Sequence, residues 1–358
     1  MLILLATLAI AYGASMTALI VWGIRPVIPT ALLFLLPFSV PLAFGMTASA
    51  SLLDRWPGRK TRWTAVVAML TGVLLVCAGD MAVQVAELIL FGTLVAQLVN
   101  GLHRSLLRPI ALSLLVITVG FATIWNLNYL ALRAVGDRLH DPTMKQVDLA
   151  LYRSLAGHPV QYVGLFPLVK SPLGFRVLEN AYTMLFTEIV VMTFALARQR
   201  ERLVRHLGGM FGFYAFGVVV FLLYPVAGPF LYYPESFAET HRNSVTFVFM
   251  HSSFLDFSAV RRSSPLLTGF GYFVGLPSLH AGLALLFQLT LWPSRILFWL
   301  VLPINLLIVA STVLLGYHYV VDTLAGVLIA PMIYWLLHVR RIASCLPSGA
   351  TVAPIVPE

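Results

Sequence analysis

Charge is what this sequence has least of. Only 10% of its 358 residues are Asp, Glu, Lys or Arg, and 59% are hydrophobic, whereas about a quarter of a soluble globular protein is charged. That scarcity excludes an ordinary water-soluble fold and makes lipid the expected solvent. Cysteine is almost absent: Cys77 lies in an apolar run and Cys345 in the C-terminal tail, so neither a disulfide framework nor a cysteine metal cluster is expected. Also missing are a Walker phosphate loop, a dinucleotide glycine fingerprint and the H-E-x-x-H zinc spacing, and no metal or cofactor is expected. There is no repeat of fixed period and no low-complexity stretch. The net charge of +9 does not read as nucleic-acid binding, because the basic residues sit in short loops between apolar runs rather than on one domain or helix.

What is present is apolar length. Runs of about 18 to 22 residues recur, each long enough to cross a ~30 Å hydrocarbon core as a helix. Ten spans fit, at roughly 1–22, 27–50, 63–80, 81–101, 107–129, 179–197, 207–228, 277–293, 296–315 and 318–338. The first lacks the basic start of a signal peptide and reads as a retained span. The expected fold is all-α and polytopic. Residues 1–105 form an N-terminal bundle of about four helices, 106–340 a six-helix core, and 341–358 a tail. Arg55, Arg59, Lys60 and Arg62, the Arg198–Arg205 cluster, and Arg340 and Arg341 should be cytoplasmic. Both termini are then inside, and two long segments, 130–178 and 229–276, lie on the external, periplasmic or lumenal, face. In the first, Val147, Leu151 and Leu155 recur at helical spacing beside Asp148 and Arg153, the pattern of a helix lying on the bilayer or of an ordinary connector.

The chemistry is concentrated near the C-terminus. Gly275-Leu276-Pro277-Ser278-Leu279-His280 puts a histidine at the external start of one span, and Ser311 to Asp322 puts His318 at the external start of another. The chain crosses inward and back between them, so the two imidazoles can share one site. Asp322 lies four residues after His318, on the same helical face. A carboxylate there fixes the tautomer and raises the basicity of the other ring nitrogen. His318 is the expected nucleophile and His280 the acid that protonates the leaving oxygen, then the base that deprotonates the acceptor.

These motifs resemble the type-2 phosphatidic acid phosphatase superfamily. Pro277-Ser278-x-His280 is similar to its P-S-x-H motif, and Ser311, His318 and Asp322 match the spacing of S-R-x₅-H-x₃-D. Thr312 stands where the superfamily has a phosphate-binding Arg, and no K-x₆-R-P element precedes Pro277: Lys170 and Arg176 are one residue too close and lack the Pro. Tyr224-Pro-Val-Ala-Gly-Pro229 ends the preceding span instead. Both departures resemble the inositol phosphorylceramide synthase branch, which implies transfer of a phosphorylated head group from a phospholipid donor to a lipid alcohol. Water as acceptor, giving a lipid phosphatase, and a non-catalytic lipid transporter remain as alternatives.

The absent Lys and Arg would have stabilised the transferring phosphoryl group. Arg261 and Arg262 are the expected substitutes, with Arg242 next, unless they are solvated loop charges. Ser278 and Ser311 can donate to phosphate oxygens, the helix start near Ser278 favours an anion, and Gly275 permits close backbone approach. Glu188 reads either as a functional group within a span or as a buried structural hydrogen bond. Tyr224, Tyr232 and Tyr233 read as a head-group entrance or as interfacial anchors.

Overall fold

The computed structural model describes residues 2–21, 104–156, 171–234, 245–262 and 272–345. The spans expected at 27–50, 63–80 and 81–101 lie outside the described residues, as do Cys77, Lys170 and Arg242. Among the described residues every element is helical. In chain order these are α1 (Leu2–Val21), α2 (Arg104–Val135), α3 (Asp141–Ala156), α4 (Pro172–Leu196), α5 (Arg200–Leu223), α6 (Pro229–Tyr232), α7 (Val245–Arg261), α8 (Leu279–Thr290), α9 (Arg295–Leu314) and α10 (Val320–Cys345).

Four of these are long and apolar enough to cross a membrane: α4, α5, α9 and residues Val320–Leu337 of α10. Their outer faces carry large exposed apolar side chains, among them Trp299 and Leu306 on α9 and Leu328, Met332 and Trp335 on α10. In water such a surface drives aggregation; in lipid it matches the solvent.

Local chemistry moves several expected boundaries. Helix α4 starts at Pro172, seven residues before the expected 179, because Ser171 caps it by accepting from the Gly174 N–H at 2.8 Å and Pro suits the first helical position. Helix α5 takes in the basic turn Arg200–Arg205 and stops at Leu223, just before Pro225. The C-terminal end of α2 reaches Val135, where the Arg138 guanidinium donates to the carbonyls of Ala134 at 3.0 Å and Val135 at 3.1 Å. The span expected at 277–293 is a helix of only 12 residues, Leu279–Thr290. At 1.5 Å per residue that is about 18 Å, too short to cross alone. Its approach, 272–278, is non-helical and buried against other parts of the protein.

Helix α8 is the centre of the assembly. It packs on α10, α9 and α5, while α4 packs on α9, and α1 and α5 on α2. Phe213, Leu283 and Phe287 are fully buried in this core. A second cluster, with Tyr129, Phe221 and Phe273 fully buried, fills the end of the bundle where α2, α7 and the 272–278 segment meet. There the Tyr129 hydroxyl donates to the buried Asp256 carboxylate, and the Phe273 N–H donates to Asn128 Oδ1 at 3.0 Å.

Helix α3 forms where the apolar spacing places it and leaves Val147 on its outer side. Val147 is exposed and Asp148 is fully buried. The reason is a hydrogen bond rather than a hydrophobic stripe: Asp148 accepts from the Val320 N–H at 2.8 Å and the Val321 N–H at 3.3 Å.

Candidate active site

The starts of α8 and α10 are tied together through the backbone. The Ser278 N–H donates to the Asp322 carbonyl at 2.9 Å, and the Ser278 hydroxyl oxygen caps α8 by accepting from the Ala281 N–H at 3.4 Å. Before α10 the chain turns back on the end of α9, with the Tyr317 and His318 N–H groups both donating to the Thr312 carbonyl, at 3.1 and 2.9 Å. These turns bring His280 and His318 to a ring-centroid separation of 6.4 Å. Residues 38 positions apart in sequence thus share one site.

His318 is oriented by a partner other than the one expected. Its Nδ1 lies 2.9 Å from the Gly275 carbonyl oxygen and 3.9 Å from Asp322 Oδ2. A carbonyl only accepts, so a neutral His318 carries its proton on Nδ1 and leaves the Nε2 lone pair free. Asp322 is fully buried and accepts from the Tyr319 N–H at 3.1 Å through the same oxygen that faces His318. It sets the turn and the local field; Gly275 sets the tautomer.

His280 stands against an aromatic wall. The Tyr182 ring stacks on it at 4.0 Å with planes 14° apart, Phe186 meets it edge-on at 5.9 Å, and Tyr182 packs on Tyr317 at 4.5 Å. Among the described residues no group hydrogen-bonds its Nε2. That nitrogen is available for proton transfer.

The segment 224–229 forms the floor. Gly275 donates its N–H to the Val226 carbonyl at 2.6 Å, and a Cβ on Gly275 would lie 2.7 Å from that oxygen and 2.9 Å from the Gly228 nitrogen. Gly228 has φ of 98°, and a Cβ there would lie 2.5 Å from the Tyr317 carbonyl oxygen. Only glycine fits either position. The floor is held from α3, whose first residue, Asp141, accepts from the N–H groups of Ala227 at 2.9 Å and Gly228 at 2.8 Å and from the Tyr319 hydroxyl at 3.2 Å. Burial pushes the Asp141 carboxyl up to about 6, and these three hydrogen bonds pull against that rise.

Asp141 and Asp148 are the residues that sequence reasoning missed as parts of the site. Seven positions apart, they lie two turns apart on one face of α3, and one grips the floor while the other caps α10. Their spacing was the available signal; the apolar residues around them obscured it.

The remaining candidates divide. Ser278 is fully buried and its hydroxyl oxygen accepts from the Ala281 N–H, whereas the Ser311 hydroxyl donates to the Ile308 carbonyl at 2.7 Å. Thr312, in the place of the expected Arg, is fully buried, donates to the Val309 carbonyl at 2.7 Å and lies 3.0 Å from the Thr323 hydroxyl. Pro277 is buried next to the site, after a cis Leu276–Pro277 bond. Arg261 and Arg262 lie at the exposed end of α7. The Arg261 guanidinium pairs with Asp137, its Nε donating at 2.9 Å, and rests over the Phe257 ring. Among the described residues neither arginine hydrogen-bonds His280, His318 or Asp322. Glu188 has a structural partner, accepting from Asn305 Nδ2 at 3.1 Å. Tyr224 stacks on His140 at 4.2 Å, and Tyr233 lies under Lys145, 4.2 Å from its Nζ. No group of metal-ligating side chains occurs among the described residues.

A family model for the PAP2 superfamily matches residues 149–336, more than half of the chain, from within α3 to Leu336 of α10. The chain belongs to the PAP2 superfamily. This membership points to phosphatase- or phosphotransferase-type activity on lipids, and the match contains His280, His318 and Asp322 while leaving α1, α2 and Asp141 outside it. No curated protein and no solved structure matches the chain.

Proposed function

We propose that this PAP2 superfamily protein is a lipid head-group phosphotransferase, close in reaction to inositol phosphorylceramide synthase, with a phosphodiester lipid as donor and a lipid alcohol as acceptor. One observation carries the mechanism: the Gly275 carbonyl accepts from His318 Nδ1, which leaves Nε2 as the nucleophile. In the first step Nε2 attacks phosphorus, a P–N bond forms, and the P–O bond to the diacylglycerol breaks as protonated His280 gives that oxygen its proton. In the second step neutral His280 takes the proton of the acceptor hydroxyl, whose oxygen attacks phosphorus and releases His318. Asp322, 3.9 Å from Nδ1, offsets the positive charge on the phosphorylated imidazole.

The choice of transfer over hydrolysis rests on what fills the place of the usual cations. The Thr312–Thr323 pair occupies one position, and Arg261 is paired with Asp137. A site with so little positive charge among the described residues favours a singly charged diester over a monoester dianion. The topology that goes with this reading has ten spans, both termini inside and the histidines on the external face. Purified protein supplied with labelled phosphodiester lipid and a lipid alcohol should yield a new phospholipid; release of the water-soluble phosphorylated head group alone would make water the acceptor and the protein a hydrolase.

A further inference from the structure

Helix α5 runs from the basic turn at Arg200 to the site floor at Tyr224, and α8 and α10 both start at the histidines and run the other way. Arg202, Arg205 and His206 therefore lie at the opposite end of the bundle, on the order of 25 Å from the floor at 1.5 Å per residue. There the start of α5, the end of α8 and the later part of α10 enclose a crevice lined by these three residues with Thr290, Tyr334 and Leu337, among others. Its empty volume, open mouth included, is about 380 Å³.

The polar groups facing this crevice are not satisfied among the described residues. His206 is 3% exposed, yet among the described residues neither ring nitrogen has a hydrogen-bond partner, and the buried Nε of Arg205 has none either. A terminal nitrogen of Arg205 lies 3.5 Å from the Glu201 carboxylate, whose side chain is 65% exposed. Arg202 is braced in place, donating to the Thr290 carbonyl at 2.8 Å and to Gln199. A basic loop that only sets membrane orientation needs no buried, unpartnered imidazole beside its arginines, since solvated guanidinium groups serve as well. Burying such a ring without a partner is costly.

We propose that this crevice is a second, non-catalytic binding site for a phosphate-class anion, in which the Arg205 guanidinium and the His206 ring bind the phosphate oxygens and Arg202 supplies further positive charge. Two guanidinium forks offset by one exposed carboxylate suit a phosphate geometrically and electrostatically. The oxygens can belong to the head group of an anionic phospholipid or to free inorganic phosphate. Leu286, Pro293 and Leu337 in its lining offer an apolar wall that suits a lipid.

The test follows the melting temperature of the full chain in uncharged detergent micelles. The probes are phosphatidylglycerol, phosphatidylcholine, and inorganic phosphate against chloride at equal ionic strength. Phosphatidylglycerol should raise the melting temperature of the native protein and of His318→Ala alike, and phosphatidylcholine should do so less. Arg205→Gln should raise the half-saturating concentration about tenfold, with Arg205→Lys in between. Glu201→Gln, an exposed change that removes the competing carboxylate, should lower it. Inorganic phosphate matching the lipid effect identifies phosphate itself as ligand; no effect of phosphate identifies the lipid head group; either supports the site. An undiminished response in Arg205→Gln, an unchanged response in Glu201→Gln, or loss of the response in His318→Ala would each overturn it.

Discussion

The Gly275 carbonyl oxygen lies 2.9 Å from His318 Nδ1, closer than any carboxylate oxygen, so a main-chain group selects the tautomer of the candidate nucleophile. Gly275 is itself locked against the 226–228 backbone. Gly275→Ala should therefore move the carbonyl and lower kcat by about tenfold or more, a barrier change of at least about 1.4 kcal/mol, while circular dichroism shows a folded protein. His318→Ala should leave no measurable phosphoenzyme; retention of more than about a tenth of activity would remove His318 from the nucleophile role.

Asp322→Asn separates the two tasks given to that side chain. Asn keeps an acceptor for the Tyr319 N–H but loses the charge 3.9 Å from Nδ1. With the tautomer held by Gly275, we expect turnover to fall by about 100-fold, in the range of removing one electrostatic stabiliser, with little change in melting temperature. An equal loss in stability and rate would mean that Asp322 acts only on the fold.

Asp141 should give the protein a measurable pH dependence. Its carboxyl is raised to about 6 in the folded protein from an ordinary 3.8, so the folded state holds this proton more tightly than the unfolded chain. Its stabilising contribution is complete below pH ~3.8 and is lost as pH rises through ~6, on the order of 3 kcal/mol in total. Asp141→Asn should flatten the melting temperature between pH 4 and ~6.5. A wild-type curve that rises over that interval and does not change in the variant would contradict this account of the site floor.

The membrane orientation can be read by labelling. In a protein with both native cysteines replaced, Thr143→Cys on the exposed side of α3 should react with an impermeant thiol reagent added outside, and Arg200→Cys should react only after the membrane is opened. The reverse pattern would place the histidines on the cytoplasmic face.

Donor choice follows from the scarcity of positive charge around His318 among the described residues. A diester phosphate carries one negative charge and phosphatidate up to two, and the dianion loses more on burial without a counter-charge. We expect kcat/KM for a phosphodiester lipid to exceed that for phosphatidate by about tenfold or more. Thr312→Arg does not restore the missing cation freely: Thr312 is fully buried against Thr323, so the added guanidinium should lower stability as well as shift preference toward monoesters.

The sequence by itself determined an all-helical, lipid-facing chain and the pair of histidines, because apolar run length and motif spacing are properties of local sequence. Four spanning helices and the convergence of His280 and His318 follow from those patterns. The partners of the site were not local. Whether Asp322 or Gly275 holds Nδ1 depends on where the 272–278 segment lies against α10, and whether Arg261 faces phosphate or Asp137 depends on how α7 meets α2. Asp141 and Asp148 show the same limit from the other side, since the apolar periodicity in α3 reported the helix but not the carboxylates that tie it to the floor and to α10. Only the tertiary structure decided those ties, because the backbone N–H groups these carboxylates accept from lie more than 80 positions away in the chain.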